Sequence, residues 1–364
     1  MTDAIALIPA YEPDARLEDY VEQLAEQGFR RIVIVDDGSG ERFRAVFDSL
    51  ALKPFCTILR HDSNRGKGAA LKTGLSFIHE RFADAIGVVT ADSDGQHAPE
   101  DCRRIAEALA DGKCKICLGS RSFALGNVPF LSWYGNRWAS VTFWLIHGRW
   151  LPDTQTGLRA FPMSLLPFML GVEGERFEYE MGVLISAARN GIPIETFPIR
   201  TIYENGNAGT HFRPFADTVC INRLVFADFF RFAGVSLASF ALDQVLAWAF
   251  AVALAAMGVT QTYVIWLSGF AARFVSAVFN FSLNRTFVFH SGERIGAAAW
   301  KYALLCVAVI VMSNAGVTGL AFLAVPRGLA KFVCDIVLYF VGYRIQSKVV
   351  FSSGRDSRLN GRVD

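Results

Sequence analysis

Four long apolar segments in the C-terminal half constrain the fold of this chain more than any other feature. They cover residues 233–258, 262–281, 302–325 and 328–345. At a helical rise of about 1.5 Å per residue, each is long enough to cross a hydrocarbon core of about 30 Å. The connections between them are too short to supply the polar shell that would bury four such helices in a soluble protein. We therefore predict an all-α transmembrane domain with four helices over residues 233–351.

The charges beside and within these segments refine this prediction. The loop before the third segment contains Arg285, Arg294 and Lys301, residues 352–364 form a basic tail, and the loop after the first segment has no Lys or Arg. Because cytoplasmic loops carry the excess of Lys and Arg, we expect both termini in the cytoplasm of a multi-pass protein in the cell (inner) membrane. Four ionisable residues lie within or near the segments: Asp243, Arg273, Lys331 and Asp335. We expect them to pair between helices or reach the interface, with a lipid-phosphate or transport role as the alternative.

The N-terminal half has the pattern of a soluble α/β domain. The chain is 52% hydrophobic yet 19% charged, which an uneven distribution between the two halves explains. Short apolar runs that end in polar turns, AIALIPAY and RRIVIVDDGS, alternate with segments of helical periodicity such as GKGAALKTGLSFIHERF. This alternation predicts a largely parallel sheet with helices over residues 1–210. No leader precedes the first run, so we expect a cytosolic domain.

Two segments that mix aromatic and charged residues predict helices at a membrane surface. They are residues 133–151, and residues 211–232, which would also link the two domains. Amphipathic helices of this composition lie in the interface plane, although ordinary core helices remain the alternative for both.

Polar residues follow three of the predicted strands. Pro9, Ala10, Tyr11 and Glu12 follow the first, Asp36 and Asp37 the second, and Asp92, Ser93 and Asp94 the third. The carboxyl ends of parallel strands share one edge of the sheet, where ligands of such folds gather. We therefore predict one acidic crevice there.

The two aspartates of the third turn indicate a divalent metal. Asp92 and Asp94 are one residue apart, and like charges at that separation raise each other's pKa and cost stability. With the amide oxygen of Gln96 they offer hard oxygen ligands that suit Mg²⁺ or Mn²⁺ carrying a diphosphate. A surface loop can contain such a pair by chance, which remains the alternative.

Six motifs in the N-terminal half, in this order and spacing, resemble glycosyltransferase family 2. They are IPAY, VIVDDGS, NRGKGAAL, ADSDGQH, GSR and DTQTGLRAF. The resemblance is nearest to the dolichyl- or polyprenyl-phosphate mannosyl and glucosyl synthases, and it implies a Rossmann-like GT-A catalytic domain. In the C-terminal half, FNFSLNRTFVF resembles the GtrA-like four-helix membrane domain.

The resemblance also implies roles for individual residues. The nucleotide sugar would contact Pro9, Tyr11, Glu12, Val35, Asp37, Asp92 and Ser93. The metal would be held by Asp92, Asp94 and Gln96, with Asp94 and Arg121 as the catalytic residues. Arg121 and Arg137 would bind the acceptor phosphate, whose oxygens match the forked donors of a guanidinium group. A juxtamembrane cation is the alternative for Arg137.

Two further residues match the family, and two segments depart from its pattern. Lys67 and Glu180 also match the family, and an exposed helix start is the alternative for Lys67. The chain departs from the family pattern at Pro13, which follows Glu12 where the family usually has PAYNE. It departs again in the loop at residues 203–214, where His211 and Arg213 are candidate substitutes.

The implied activity is that of a membrane-bound inverting glycosyltransferase. It would move a hexose from GDP-mannose or UDP-glucose to polyprenyl or dolichyl phosphate and release a nucleoside diphosphate. A phosphate monoester has its second pKa near about 6, so this acceptor needs orientation more than a general base. The expected partners are the nucleotide sugar, the lipid phosphate and the bilayer. A net charge of +2 gives no indication of a nucleic-acid partner.

Three alternatives stay open at this point. A processive polysaccharide synthase would share the core, but such enzymes typically carry a QxxRW element that this chain lacks. A lipid-linked sugar translocase could be built on the C-terminal half. A binding module without catalysis is the third.

Overall fold

The computed structural model describes residues 2–14, 16–111, 115–121, 130–200, 214–323 and 325–351. Two compact units follow each other along the chain, one ending at Val225 and the other beginning at Phe226. The predicted domain boundaries at residues 210 and 232 stay predictions. The second of them falls inside one continuous helix, Pro214–Ala256.

The N-terminal unit is built on a seven-stranded sheet. The strands are β1 (Ala4–Ala10), β2 (Ile32–Asp36), β3 (Cys56–Arg60), β4 (Gly87–Thr90), β5 (Ile116–Arg121), β6 (Arg159–Pro162) and β7 (Ile194–Ile199), in the order β3-β2-β1-β4-β6-β5-β7. β6 runs antiparallel to both neighbours and every other pairing is parallel. The mostly parallel GT-A-type sheet predicted from the sequence is therefore confirmed.

One strand was not expected. β3 is short and only partly buried, and it lies on the edge of the sheet beyond β2. Because β3 precedes it, the Asp92 turn follows the fourth strand of the chain, not the third as predicted. β4, the strand before this turn, lies beside β1 in the middle of the sheet.

Seven α-helices lie wholly within the described part of this unit: α1 (Arg16–Glu26), α2 (Arg44–Ala51), α3 (Lys67–Arg81), α4 (Pro99–Glu107), α5 (Phe130–His147), α6 (Leu166–Leu170) and α7 (Glu178–Arg189). Every residue of β1 and β2 is buried, as expected for parallel strands covered on both faces. α3 packs closely on β1, since a Cβ at Gly74 would lie 2.2 Å from Leu7 Cδ1. A glycine at this position is what allows that approach.

Helices form the C-terminal unit: most of α8 (Pro214–Ala256), then α9 (Gln261–Leu283), α10 (Ile295–Phe322) and α11 (Arg327–Ile345). Large apolar side chains are exposed on it, including Trp248, Phe274 and Trp300 at 70–72%. Contiguous exposed apolar surface of this kind marks a membrane or partner-binding face.

In the part of the chain that the structure describes, three helical segments are long and apolar enough to cross a membrane: Val219–Ala256, Gln261–Val288 and Ile295–Phe322. α11 is not among them, and its 19 residues include Arg327, Lys331, Asp335 and Arg344. Membrane association through the C-terminal helices is thus supported. The fourth span and the orientation stay predictions.

Candidate active site

The three loops predicted to form the crevice meet at one edge of the sheet. β2, β1 and β4 are adjacent and parallel, and Ala10 at the end of β1 pairs with Asp36 at the end of β2. The amide of Asp37 donates to the carbonyl of Ala10 (2.8 Å). The amide of Glu12 donates to Ser39 Oγ (2.9 Å), which ties the first two loops together.

Asp37 uses its carboxylate to hold the segment before α3. Oδ1 accepts hydrogen bonds from the amide of Arg65 (2.9 Å), and Oδ2 from the amide of Gly66 (2.8 Å). His61 Nδ1 lies 2.7 Å from Oδ1, and Asp37 is only 3% exposed. These bonds fix the start of α3, and therefore Lys67, its first residue. The predicted contact of Asp37 with the nucleotide stays a prediction.

The remaining residues of the predicted nucleotide pocket differ in exposure. Pro9 and Val35 are buried partners across β1 and β2, and Val35 has no accessible surface. Tyr11 is half-buried and Glu12 is exposed, with a φ of 48°. Tyr11 and Glu12 can therefore meet a ligand directly, whereas burial does not favour the contact predicted for Val35.

Residues from three of the predicted motifs come together at the carboxylate of Asp92. Its Oδ1 lies 2.7 Å from Lys67 Nζ and its Oδ2 lies 3.1 Å from His97 Nε2. The backbone of Gly157, from the DTQTGLRAF motif, faces the same carboxylate: a Cβ there would lie 2.4 Å from both oxygens. Thr90 Oγ1 donates to the carbonyl of Gly157 (2.8 Å), which holds the segment against β4.

The two aspartates of the turn have opposite electrostatic environments. Burial would raise the pKa of Asp92, but the charge of Lys67 and the hydrogen bonds of His97 and Lys67 hold it well below its usual range. Burial raises the pKa of Asp94, and the neighbouring charge of Asp92 raises it further. A hydrogen bond from the amide of Gln96 to Asp94 Oδ1 (3.0 Å) opposes this rise.

Lys67 also contacts a third carboxylate. Its Nζ lies 2.8 Å from Glu180 Oε2, and Glu180 is 8% exposed. Burial would lower the pKa of Lys67, but the charges of Asp92 and Glu180 raise it above its ordinary value. Behind Glu180 lies Arg159, 2% exposed, whose Nη1 donates to the carbonyl of Glu180 (2.6 Å). We call the group formed by Asp92, Asp94, Glu180 and Lys67 the acidic pocket.

Sequence reasoning missed His97 and Arg159. Both stand inside motifs that were recognised, ADSDGQH and DTQTGLRAF. His97 reaches Asp92 within its own loop, five positions away, so its place in the motif was a usable signal. The groups that Arg159 approaches depend on the pairing of β4 with β6, where Thr90 lies opposite Arg159.

Arg121 lies at the same edge of the sheet, because β5 and β4 are both antiparallel to β6. It forms a two-point ion pair with Asp153: Nε donates to Oδ2 (2.7 Å) and Nη2 to Oδ1 (3.2 Å). Asp153 is fully buried, and its Oδ1 also accepts the amide of Gln155 (3.0 Å). A guanidinium group has five N–H donors, so a phosphate could bind beside this carboxylate.

Arg137 lies on the exposed face of α5. Its guanidinium carbon is 5.4 Å from the centroid of the Trp150 ring, a cation–π contact. The neighbouring Asn136 donates from Nδ2 to the carbonyl of Pro152 (2.7 Å). α5 is thereby tied to the segment that holds Arg121 through Asp153. The departing loop with His211 and Arg213 lies outside the described residues, except for Pro214.

The side chains of the acidic pocket suit a divalent metal only in part. Among the residues described, no group of three or more His, Cys, Asp or Glu side chains is arranged to hold a metal ion. Mg²⁺ is typically bound through one or two carboxylates, with water and substrate phosphates completing its ligands. Asp94 and the amide of Gln96 fit this pattern. Asp92 is already paired with Lys67 and His97.

Comparison with known proteins decides the family. The family described as Glycosyl transferase family 2 matches residues 5–167. The chain is 31% identical over 214 residues to UDP-N-acetylglucosamine--dolichyl-phosphate N-acetylglucosaminyltransferase of Methanococcus voltae, covering 54% of this chain and 84% of that protein. This chain belongs to glycosyltransferase family 2. It is a glycosyltransferase, as its motifs predicted.

Two further similarities of this glycosyltransferase are more distant. It is 27% identical over 175 residues to polyprenol monophosphomannose synthase of Mycolicibacterium smegmatis, covering 46% of this chain and 65% of that protein. Glucosyl-3-phosphoglycerate synthase of Mycobacterium tuberculosis superposes with a TM-score of 0.45 at 16% identity, over 62% of this chain and 76% of that chain. The family match lies in the N-terminal half, so the GtrA-like resemblance of the C-terminal half stays a prediction.

Proposed function

We propose that this glycosyltransferase moves a hexose from a nucleotide sugar to polyprenyl or dolichyl phosphate at a membrane surface, with inversion at the anomeric carbon. The observation that carries the proposal is the acidic pocket at the sheet edge of a family 2 chain that continues into apolar helices of membrane-spanning length. The names of two relatives, which contain dolichyl phosphate and polyprenol, support a lipid-phosphate acceptor.

On the donor side, Asp94 and Gln96 would hold Mg²⁺ or Mn²⁺. The metal, when bound, would neutralise the charge that develops on the leaving diphosphate. Tyr11, Glu12 and Ser93 would line the nucleotide site at the same edge, with Pro9, Val35 and Asp37 supporting them from below. Asp92 would face the nucleotide while Lys67 and His97 keep it ionised.

On the acceptor side, Arg121 would orient the phosphate oxygen that attacks the anomeric carbon. Asp153 fixes the guanidinium group in its plane, so less side-chain freedom is lost when the phosphate binds. Arg137 would offer a second contact on α5. Tyr134, Trp138 and Trp144 on α5 are 43–53% exposed, and such side chains favour the headgroup level of a bilayer.

A donor panel tests the proposal. The full chain in proteoliposomes receives polyprenyl phosphate with Mg²⁺ or Mn²⁺ and radiolabelled GDP-mannose, UDP-glucose or UDP-N-acetylglucosamine. The last is included because it stands in the name of the M. voltae relative. We expect one donor to label the lipid fraction in a metal-dependent way. Transfer to a saccharide, with none to lipid phosphate, would overturn the acceptor and favour a polysaccharide synthase.

A cavity in the C-terminal unit favours a second activity. It has a volume of about 500 Å³ and is lined by residues of all four helices, with polar groups such as Ser239, Asn280 and Tyr302. Asn280 Nδ2 donates to Ser239 Oγ (3.0 Å), and the Tyr302 hydroxyl donates to Asn280 Oδ1 (2.9 Å). Polar residues inside a membrane are costly and usually functional. We propose that this cavity accommodates the polar head of the lipid-linked sugar during its translocation.

The cavity is tested with Asn280→Leu in proteoliposomes that contain preformed lipid-phosphate sugar. Appearance of the sugar on the opposite leaflet should slow, while transfer by the N-terminal unit continues. Asn314→Leu is the control, because Asn314 is exposed on α10 and does not line the cavity. Equal translocation by both variants and the wild type would exclude this use of the cavity.

A further inference from the structure

The position of Lys67 between two carboxylates is fixed by the backbone around it. Its side chain is 17% exposed, and it begins α3 directly after the segment that Asp37 holds. A Cβ at Gly68 would lie 2.6 Å from Tyr179 Cβ, so the start of α3 is pressed against the segment that carries Glu180. The amide of Ala69 donates to the carbonyl of Glu175 (2.8 Å), which closes the same contact. Lys67 and Glu180 are thus brought together by packing.

The two aspartates of the turn have different bonding partners, and Lys67 bonds to Asp92. Asp92 is bonded to Lys67 on one oxygen and to His97 on the other. Asp94 accepts a hydrogen bond from the backbone of Gln96. A cation that used both carboxylates would have to approach the positive charge of Lys67, which lies 2.7 Å from Asp92 Oδ1.

We propose that Lys67 is a built-in counter-ion that keeps Asp92 out of the metal's ligand set. The metal then binds through Asp94, and the diphosphate of the donor completes its ligands. Free metal is consequently held weakly, and metal with nucleotide is held tightly. This inference rests on the metal-dependent transfer proposed above and assigns Lys67 as a positioning residue.

Two other roles for Lys67 predict different results. A purely structural lysine would weaken folding and all binding when it is removed. If Lys67 instead bound the donor phosphate, its removal would mainly weaken nucleotide binding. A counter-ion predicts the opposite sign: its removal strengthens the binding of free metal.

The experiment measures Mn²⁺ binding to the full chain in detergent, without nucleotide, from the electron paramagnetic resonance signal of free Mn²⁺. Lys67→Met should bind Mn²⁺ about tenfold more tightly, because one positive charge is removed a few ångströms from the site. Glu180→Gln should show no such gain, because Lys67 keeps its bond to Asp92. Lys53→Met is the matched control: Lys53 pairs with Glu22 and lies outside the acidic pocket.

A second pair of variants tests the proposal without removing Lys67. If Asp92 is withheld from the metal, Asp94→Asn should weaken Mn²⁺ binding far more than Asp92→Asn. Equal losses in these two variants, or unchanged Mn²⁺ affinity in a folded Lys67→Met protein, overturn the counter-ion. Should the wild type bind no Mn²⁺ even with nucleotide present, the metal-dependent function fails as well, which separates the two conclusions.

Discussion

The acidic pocket of the N-terminal unit and the cavity of the C-terminal unit contain different kinds of polar group. In the pocket Lys67 contacts two carboxylates, Asp92 and Glu180, and a third, Asp94, is close enough to Asp92 to feel its charge. The cavity is lined mainly by apolar side chains, and among its polar groups are hydroxyls and amides that bond to one another. Water and a bound cation can stabilise net charge at a sheet edge, whereas a charge within apolar surroundings needs a partner. Excess negative charge is therefore what distinguishes the proposed metal site from the cavity.

Ionisable residues of the C-terminal unit have charged partners, as expected in apolar surroundings. Arg273 Nη2 lies 3.2 Å from Asp243 Oδ2, and Ser276 donates to Asp243 Oδ1 (2.9 Å). Lys331 Nζ lies 2.8 Å from Asp335 Oδ1. The pairing between helices expected from the sequence is observed for Asp243 and Arg273, on α8 and α9. Lys331 and Asp335 instead pair within one helix, α11. Each of these two aspartates is matched by one positive charge, unlike the carboxylates of the acidic pocket.

The strongest test of this contrast neutralises one aspartate in each region. Asp94→Asn should lower transfer by about 10³-fold, because it removes the carboxylate that would hold the metal. Asp243→Asn should stay within about threefold of the wild type, since Asn can still accept from Ser276. Initial rates of lipid labelling measure both. Comparable activity in the two variants would break the contrast between the regions.

A methyl group at Gly157 should disturb the pocket without changing its charge. Gly157→Ala places a Cβ 2.4 Å from the Asp92 oxygens, so the carboxylate must move. We expect transfer to fall by about 10²-fold, the scale of a misplacement of about 1 Å. Gly135→Ala is the control, since a Cβ there meets no atom within 4 Å. A fully active Gly157→Ala enzyme would show that the position of Asp92 is not critical.

Variants of the Arg121–Asp153 pair can distinguish an effect on acceptor binding from an effect on stability. Arg121→Ala should raise the KM for lipid phosphate about tenfold or more, and lower the free energy of unfolding by about 3 kcal/mol, because Asp153 is left buried and unpaired. In Arg121→Ala/Asp153→Ala the stability should largely recover while the acceptor KM stays high. Thermal unfolding and acceptor kinetics give the two readouts. A KM that recovers together with stability would remove Arg121 from the acceptor site.

The smallest expected effect is on how the stability of the fold depends on pH. The raised pKa of Asp94 means that the folded state binds this proton more tightly than the unfolded state. Ionised Asp94 therefore costs stability at neutral pH. The cost declines as the pH falls through the raised pKa and is gone below the ordinary pKa of an aspartate. Asp94→Asn should raise the midpoint of thermal unfolding at pH 7 by about 2 °C, with no gain in acid. A gain that is equal at both pH values would contradict this electrostatic origin.

Local sequence patterns determined much of this protein. The alternation of apolar runs and amphipathic segments predicted a mostly parallel sheet, and the polar residues after β1, β2 and β4 were correctly expected at one edge. The long apolar segments predicted the helices of the C-terminal unit. Such signals depend on periodicity and on length along the chain, which the sequence contains directly.

Only the tertiary structure decided which charges meet. Lys67 contacts Asp92 and Glu180, residues 25 and 113 positions away, and Arg121 contacts Asp153 across 32 positions. These contacts follow from the insertion of antiparallel β6 between β4 and β5, and from the packing of α3 against α7. Neither is visible in a local pattern, because both depend on how distant segments of backbone pack together.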